Sequence, residues 1–276
     1  MDVRVILQVA KQEFIINVRN KWTVIFAVVF ALLVVGLSSV GVLAEGFSGM
    51  QNFTRTSASL LNLVLYLVPL VALTMGTLSF TGDRGAMELL FSQPLSRAEI
   101  LCGKILGVFL SMVLSTVVGF ALAGGVVVAS AGGDGLGRYV AFVVLSLVLS
   151  LIFLSIALLT STMSRRTSRA FGVALFLWFF FVLFYDLLAL GGSLMFRGPS
   201  ASAFLFLSLF GNPVDMVRVA TLILIDNVTI FGAAGAAMLR YFGGSAASLT
   251  LLGAALLVWT FVPMMLAARL IRRQDL

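Results

Sequence analysis

Long apolar runs alternate with short polar interruptions along this chain. Six runs reach the roughly 20 residues that a membrane-crossing helix needs: Trp22–Leu43, Leu60–Phe80, Ile105–Ala129, Tyr139–Met163, Ala170–Leu190 and Leu249–Ala268. The stretch ahead of them, residues 1–21, has helical periodicity instead. Val3, Ile6, Leu7, Ala10, Phe14 and Val18 share one face, Arg4, Gln8, Lys11 and Arg19 lie on another, and Ile15 interrupts the polar side. Such a pattern predicts an interfacial helix lying along the headgroups with its apolar stripe in the acyl boundary. The expected fold is an all-α polytopic membrane protein. Its single transmembrane domain, 1–276, has six spans, an amino-terminal interfacial helix and an outer-face helical subdomain (191–248) before the last span.

Composition agrees with the pattern. The chain is 61% hydrophobic and 11% charged, where soluble chains carry about 25% charged residues, and its mean hydropathy is +1.15. Cys102 is the lone cysteine and histidine is absent. An intrachain disulfide, a CxxC site, the usual His-type metal site and Ser-His or Cys-His chemistry are therefore all excluded. The formal charge of +7 reads as positive-inside anchoring. Of 18 basic residues, Arg55, Arg138, Arg197, Arg218 and Arg240 fall on one side of the spans and the other thirteen on the opposite side. Both termini and the loop between spans two and three are thus expected in the cytoplasm of a bacterial inner-membrane protein.

That loop, Thr81–Lys104, contains a short amphipathic segment, Ala86–Phe91, stopped by Pro94. A second helix start follows: Ser96 and Glu99 form a capping box, with Leu95 and Ile100 at the staple positions. In the outer region, Leu222–Phe231 is apolar enough to tempt a seventh span. Asp226 and Asn227 at its centre count against one, and a seventh span would send Arg269, Arg272 and Arg273 outside. The region is read as short helices, partly re-entrant, with Ala203–Phe210 packing on the outer ends of the spans. Asn212-Pro213-Val214-Asp215 is a strong helix start, and Asp215 is placed to pair with Arg218 three residues on.

Candidate chemistry is sparse. Gly103-Lys104 lacks the glycine spacing and the hydroxyl residue of a phosphate loop. Asp134 and Asp186 stand in the reverse order to the paired aspartates of intramembrane proteases, and Asp134 falls in a short loop. Asp186 lies about 24 Å along its helix, near the outer boundary. There it reads as an acid in contact with water or Arg197, or as a contact in a dimer seam or outer cavity. The eleven methionines form no MxxM or MxM pattern and read as packing. So does the aromatic run Trp178-Phe179-Phe180-Phe181 with Phe184, as packing or lipid contact. No catalytic, metal or cofactor-binding residue is expected.

Gly85-Ala86-Met87-Glu88-Leu89-Leu90, Pro94-Leu95-Ser96-Arg97, Ile100-Leu101 and Gly103-Lys104 resemble the loop signature of the ABC-2 type transporter permeases. The whole layout of spans resembles that family too. The resemblance implies that the loop is a coupling helix seated in a cleft of a separate cytoplasmic ATPase, which binds the ATP and Mg. Asp83, Gly85, Met87, Glu88, Leu89, Leu90, Phe91, Pro94 and Arg97 would form the contact, Asp83 replacing the glutamate usual before the glycine. The turn Ser164-Arg165-Arg166-Thr167 touches the same partner or simply anchors the inner side. Asn212-Pro213-x-Asp215-x-x-Arg218, with Tyr185-Asp186, further resembles the NosY-type permeases, a subgroup that acts in maturation of nitrous oxide reductase. This implies a homodimer bound to two ATPase subunits and to a periplasmic β-helix protein of the NosD type, with Asp186, Asn212, Pro213, Asp215 and Arg218 as outer contact or gate. An exporter of a lipid, drug or polysaccharide-like molecule, and a membrane scaffold without an ATPase, remain as alternatives.

Overall fold

The computed structural model describes residues 2–44, 51–81, 96–131, 136–164, 166–225 and 244–273, and these are helical apart from turns and caps. In chain order the helices are α1 (Val3–Val18), α2 (Lys21–Ala44), α3 (Gln51–Thr81), α4 (Arg97–Ala131), α5 (Leu136–Met163), α6 (Thr167–Phe179), α7 (Tyr185–Ser193), α8 (Pro199–Leu209), α9 (Pro213–Ile225) and α10 (Ser245–Arg273). A π-helical segment, Phe180–Phe184, makes α6 and α7 one continuous rod.

Five stretches among the described residues are each long and apolar enough to cross a bilayer: Leu60–Thr81, Ala98–Gly125, Leu136–Met163, Thr167–Ser193 and Ala246–Arg272. They match five of the six expected spans to within a few residues at most ends and seven at the start of α4. The sixth, Trp22–Leu43, is the body of α2, whose 24 residues reach about 36 Å at 1.5 Å per residue. A bend of 67° separates α1 from the Thr23–Leu37 stretch of α2.

The bundle is arranged around α5. Its spanning window is 61% buried within the chain, whereas that of α6–α7 is 17% buried and forms an outer wall. Leu149, Ile152, Phe153 and Ala157 of α5 meet Leu65 and Leu73 of α3, Val217 of α9 and Leu252 of α10 in the main core. Phe30 of α2 stacks edge-on against Phe120 of α4, with ring centres 5.4 Å apart. Gly119 admits that contact, because a Cβ there would lie 2.7 Å from the Phe30 ring.

Between Ser193 and α9 the chain reverses. Gly198 takes a positive φ of 61°, a conformation open to glycine, and Pro199 follows at the first position of α8. Phe204 of α8 stacks on Phe196 and packs against Gly192 at the end of α7, so α8 sits on the end of a span as expected. The chain then bends by 102° into α9. This helix is no surface element, for Val214, Met216, Val217, Val219 and Ala220 are all buried. It is buried in the core, which its apolar sequence favours over an exposed position. The Leu222–Phe231 candidate continues beyond Ile225 into residues 226–243, outside the described residues.

Candidate functional site

Two polar constellations interrupt an otherwise apolar bundle. The first surrounds the loop between α3 and α4. Of its predicted contact residues, Asp83, Gly85, Met87, Glu88, Leu89, Leu90, Phe91 and Pro94 lie outside the described residues, and Arg97 is described only as the first residue of α4. What the structure shows is how the loop's flanks are held. The predicted capping box is present: Ser96 Oγ accepts from the Glu99 N–H at 3.3 Å and Glu99 Oε2 accepts from the Ser96 N–H at 3.1 Å. Glu99 Oε1 also accepts from the Asp2 N–H at 2.7 Å, tying the start of α1 to the start of α4.

Deeper in, Glu13 of α1 and Lys104 of α4 form an ion pair at 2.5 Å, with side chains 8% and 2% exposed. Ser79 of α3 donates to the second Glu13 oxygen at 3.3 Å, and Asn17 donates to the Glu13 carbonyl at 2.9 Å. The helices approach closely because Gly103 and Gly107, four apart, share one face of α4. Thr167, at the start of α6, directs its hydroxyl to the Thr81 carbonyl at 3.5 Å. That long contact brings the second basic turn beside the last residue of α3.

The buried face of α1 is Val9, Ala10, Glu13 and Asn17, while Val3 and Leu7 are exposed. The expected apolar stripe is thus split, with half on α4 and half turned outward. Sequence reasoning did not find the Glu13–Lys104 pair. An acid on the packed face of an amphipathic helix, and a glycine pair flanking a lysine, were its signals.

The second constellation lies at the far end of α6–α7, 19 residues from Thr167 and so about 28 Å away along the rod. It gathers the predicted residues Asp186, Asn212, Asp215 and Arg218, with Pro213 opening α9. Arg218 Nη1 donates to Asp215 Oδ1 at 2.6 Å and to Asp186 Oδ2 at 3.0 Å. The i,i+3 pair was expected. The Asp186 partner is Arg218 and not Arg197, because the turn before α9 folds Arg218 back against α7. Asn212 caps α9, its Oδ1 accepting from the Val214 N–H at 3.0 Å. Its amide donates to Asp215 Oδ2 at 2.8 Å and to the Phe181 carbonyl at 2.9 Å. Phe181 belongs to the π segment, a kind of helix irregularity frequent at functional sites.

Aromatic contacts frame this end. Phe181 lies edge-on between Phe153 and Trp259, and Trp259 donates to the Phe210 carbonyl at 3.0 Å. The Tyr185 hydroxyl donates to the Ser208 carbonyl at 2.6 Å and sits over Gly211, where any Cβ would overlap it. Within the aromatic run, Phe181 is buried, while Phe179 and Phe184 are exposed. Among the described residues no group of three or more His, Cys, Asp or Glu could hold a metal ion.

Residues 7–276 match the family described as "ABC-2 family transporter protein". The chain belongs to the ABC-2 transporter family. It is 33% identical over 279 residues to the "Probable ABC transporter permease protein NosY" of Pseudomonas aeruginosa, covering 99% of each chain. To the protein of the same name from Stutzerimonas stutzeri it is 31% identical over 274 residues, covering 96% of this chain and 97% of the other. As an ABC-2 permease it is a multi-pass membrane subunit of an ABC transporter, which implies a partner ATPase and a dimeric assembly.

Proposed function

We propose that this permease couples ATP hydrolysis in a separate ATPase to a periplasmic partner in copper-site maturation of nitrous oxide reductase. The carrying observation is its likeness, over nearly the full length, to two relatives named NosY. In this reading the Gly85–Arg97 loop docks in a cleft of the ATPase, which alone binds ATP and Mg. A short helix with Met87, Leu89, Leu90 and Phe91 suits a groove of that kind. Both termini face the cytoplasm of the inner membrane. The Asp186–Arg218–Asp215 triad, partly exposed and fixed by Asn212, faces a NosD-type β-helix protein across a homodimer.

Co-purification from membranes tests this. Met87→Asp or Leu90→Asp is expected to lose the ATPase, and Arg218→Ala to lose the periplasmic partner while keeping the ATPase. A complex unchanged by Met87→Asp would overturn the docking surface. An ATPase-bound permease that never binds the periplasmic protein would favour an exporter of a lipid, drug or polysaccharide-like substrate. Labelling of Cys102 from the periplasmic side would reverse the orientation.

A further inference from the structure

The Glu13 carboxylate divides its two oxygens between the helices on either side of the loop. Oε1 takes Lys104 of α4, eight residues beyond Ser96, and Oε2 takes Ser79 of α3, two residues before that helix ends at Thr81. A single side chain of α1 thus bridges the chain entering the loop and the chain leaving it. A second tie, Asp2 to Glu99, joins α1 to the first turn of α4. The helix lies almost backbone to backbone on α4. A Cβ at Gly103 would stand 2.6 Å from Val9 Cβ and 2.9 Å from the Ile6 carbonyl, and one at Gly107 would stand 2.5 Å from the Ala10 carbonyl and 3.0 Å from the Phe14 nitrogen. Contacts so close leave α1 no freedom to slide, and a packed pair of helices passes displacement on instead of absorbing it.

We propose that α1 is a brace across both ends of the 82–95 loop and that Glu13–Lys104 is its pin, making Glu13 and Lys104 positioning residues for ATPase docking. The inference rests on the docking reading above. A buried ion pair is a poor choice for adhesion alone, since well-packed apolar residues of the same volume hold helices at least as firmly. What the pair adds is register. It admits one rotation and one height of α1 against α3 and α4 together, as a buried polar residue fixes register in a coiled coil. The loop then leaves and rejoins the bundle at two points held at a set spacing.

The test is the affinity of the partner ATPase for the full-length permease in lipid nanodiscs, measured beside its thermal midpoint. Glu13→Gln and Lys104→Met each leave one buried charge without its counter-charge, and both midpoint and affinity are expected to fall. The double variant Glu13→Gln/Lys104→Met removes both charges and is expected to regain the midpoint while binding the ATPase about tenfold more weakly. Recovery of midpoint and affinity together would make the pair merely structural and overturn the proposal. Should the double variant not fold, Ser79→Ala carries the test. It cuts only the α3 arm and is expected to weaken binding about threefold, and unchanged affinity overturns the brace. Met87→Asp run alongside separates the two failures. Normal binding by that variant overturns the docking surface and with it the premise of the brace. Its loss of binding, with normal binding by the folded double variant, overturns the brace alone.

Discussion

The two ends of the bundle solve the problem of charge in a membrane differently. At the loop end, Glu13 and Lys104 are 8% and 2% exposed and satisfy each other almost out of reach of water. At the far end, Asp186, Arg218 and Asp215 are 37%, 26% and 14% exposed. The first arrangement is intolerant: take one partner away and a bare charge is left in apolar surroundings. The second is only partly buried, with Asp186 the member most open to water and to a partner. Rigidity belongs to the end that holds the loop, and accessibility to the opposite one.

Four substitutions test that contrast, in order of expected effect. Glu13→Ala strands the Lys104 ammonium and should cost about 3 to 5 kcal/mol, read as a large fall in the unfolding midpoint. Gly103→Ala pushes a methyl into Val9 and the Ile6 carbonyl, for which about 1 to 3 kcal/mol is expected. Faster protease cleavage near residue 20, as α1 lifts from α4, would report it. Asn212→Ala removes the α9 cap and the donor to Phe181 and Asp215, at about 1 to 2 kcal/mol, measured in the same unfolding series. Asp186→Asn should cost at most about 1 kcal/mol and less in high salt. A loss at Asp186 as large as that at Glu13 would erase the distinction between the two ends.

How much of this was legible in the sequence follows from the range of each contact. The Ser96–Glu99 capping box and the Asn212, Asp215, Arg218 start of α9 are local, so spacing along one helix predicts them. The spans are legible because bilayer thickness fixes their length. Long-range choices are not. Asp186 was expected to meet water or Arg197, and only the 102° turn before α9 brings Arg218 to it. On α1 the apolar stripe misled in a specific way. In water an apolar face points to the core, but at a membrane both lipid and protein accept it. Glu13 and Asn17 therefore mark the packed face while Val3 and Leu7 turn outward. The π segment leaves no sequence signature, since Phe180–Phe184 reads as ordinary apolar helix. The loop residues predicted to meet the ATPase, Asp83 to Pro94, lie outside the described residues.

The five-residue π turn at Phe180–Phe184 has a geometric corollary. It stores one surplus residue in the outer-wall rod. Were that residue absorbed into regular α-helix, α7 would rotate by about 100° and advance about 1.5 Å against α9, which is held in the core. Asp186 would swing off Arg218, and Asn212 would lose the Phe181 carbonyl in the same movement. One peptide unit of slack thus underlies the alignment of both far-end contacts.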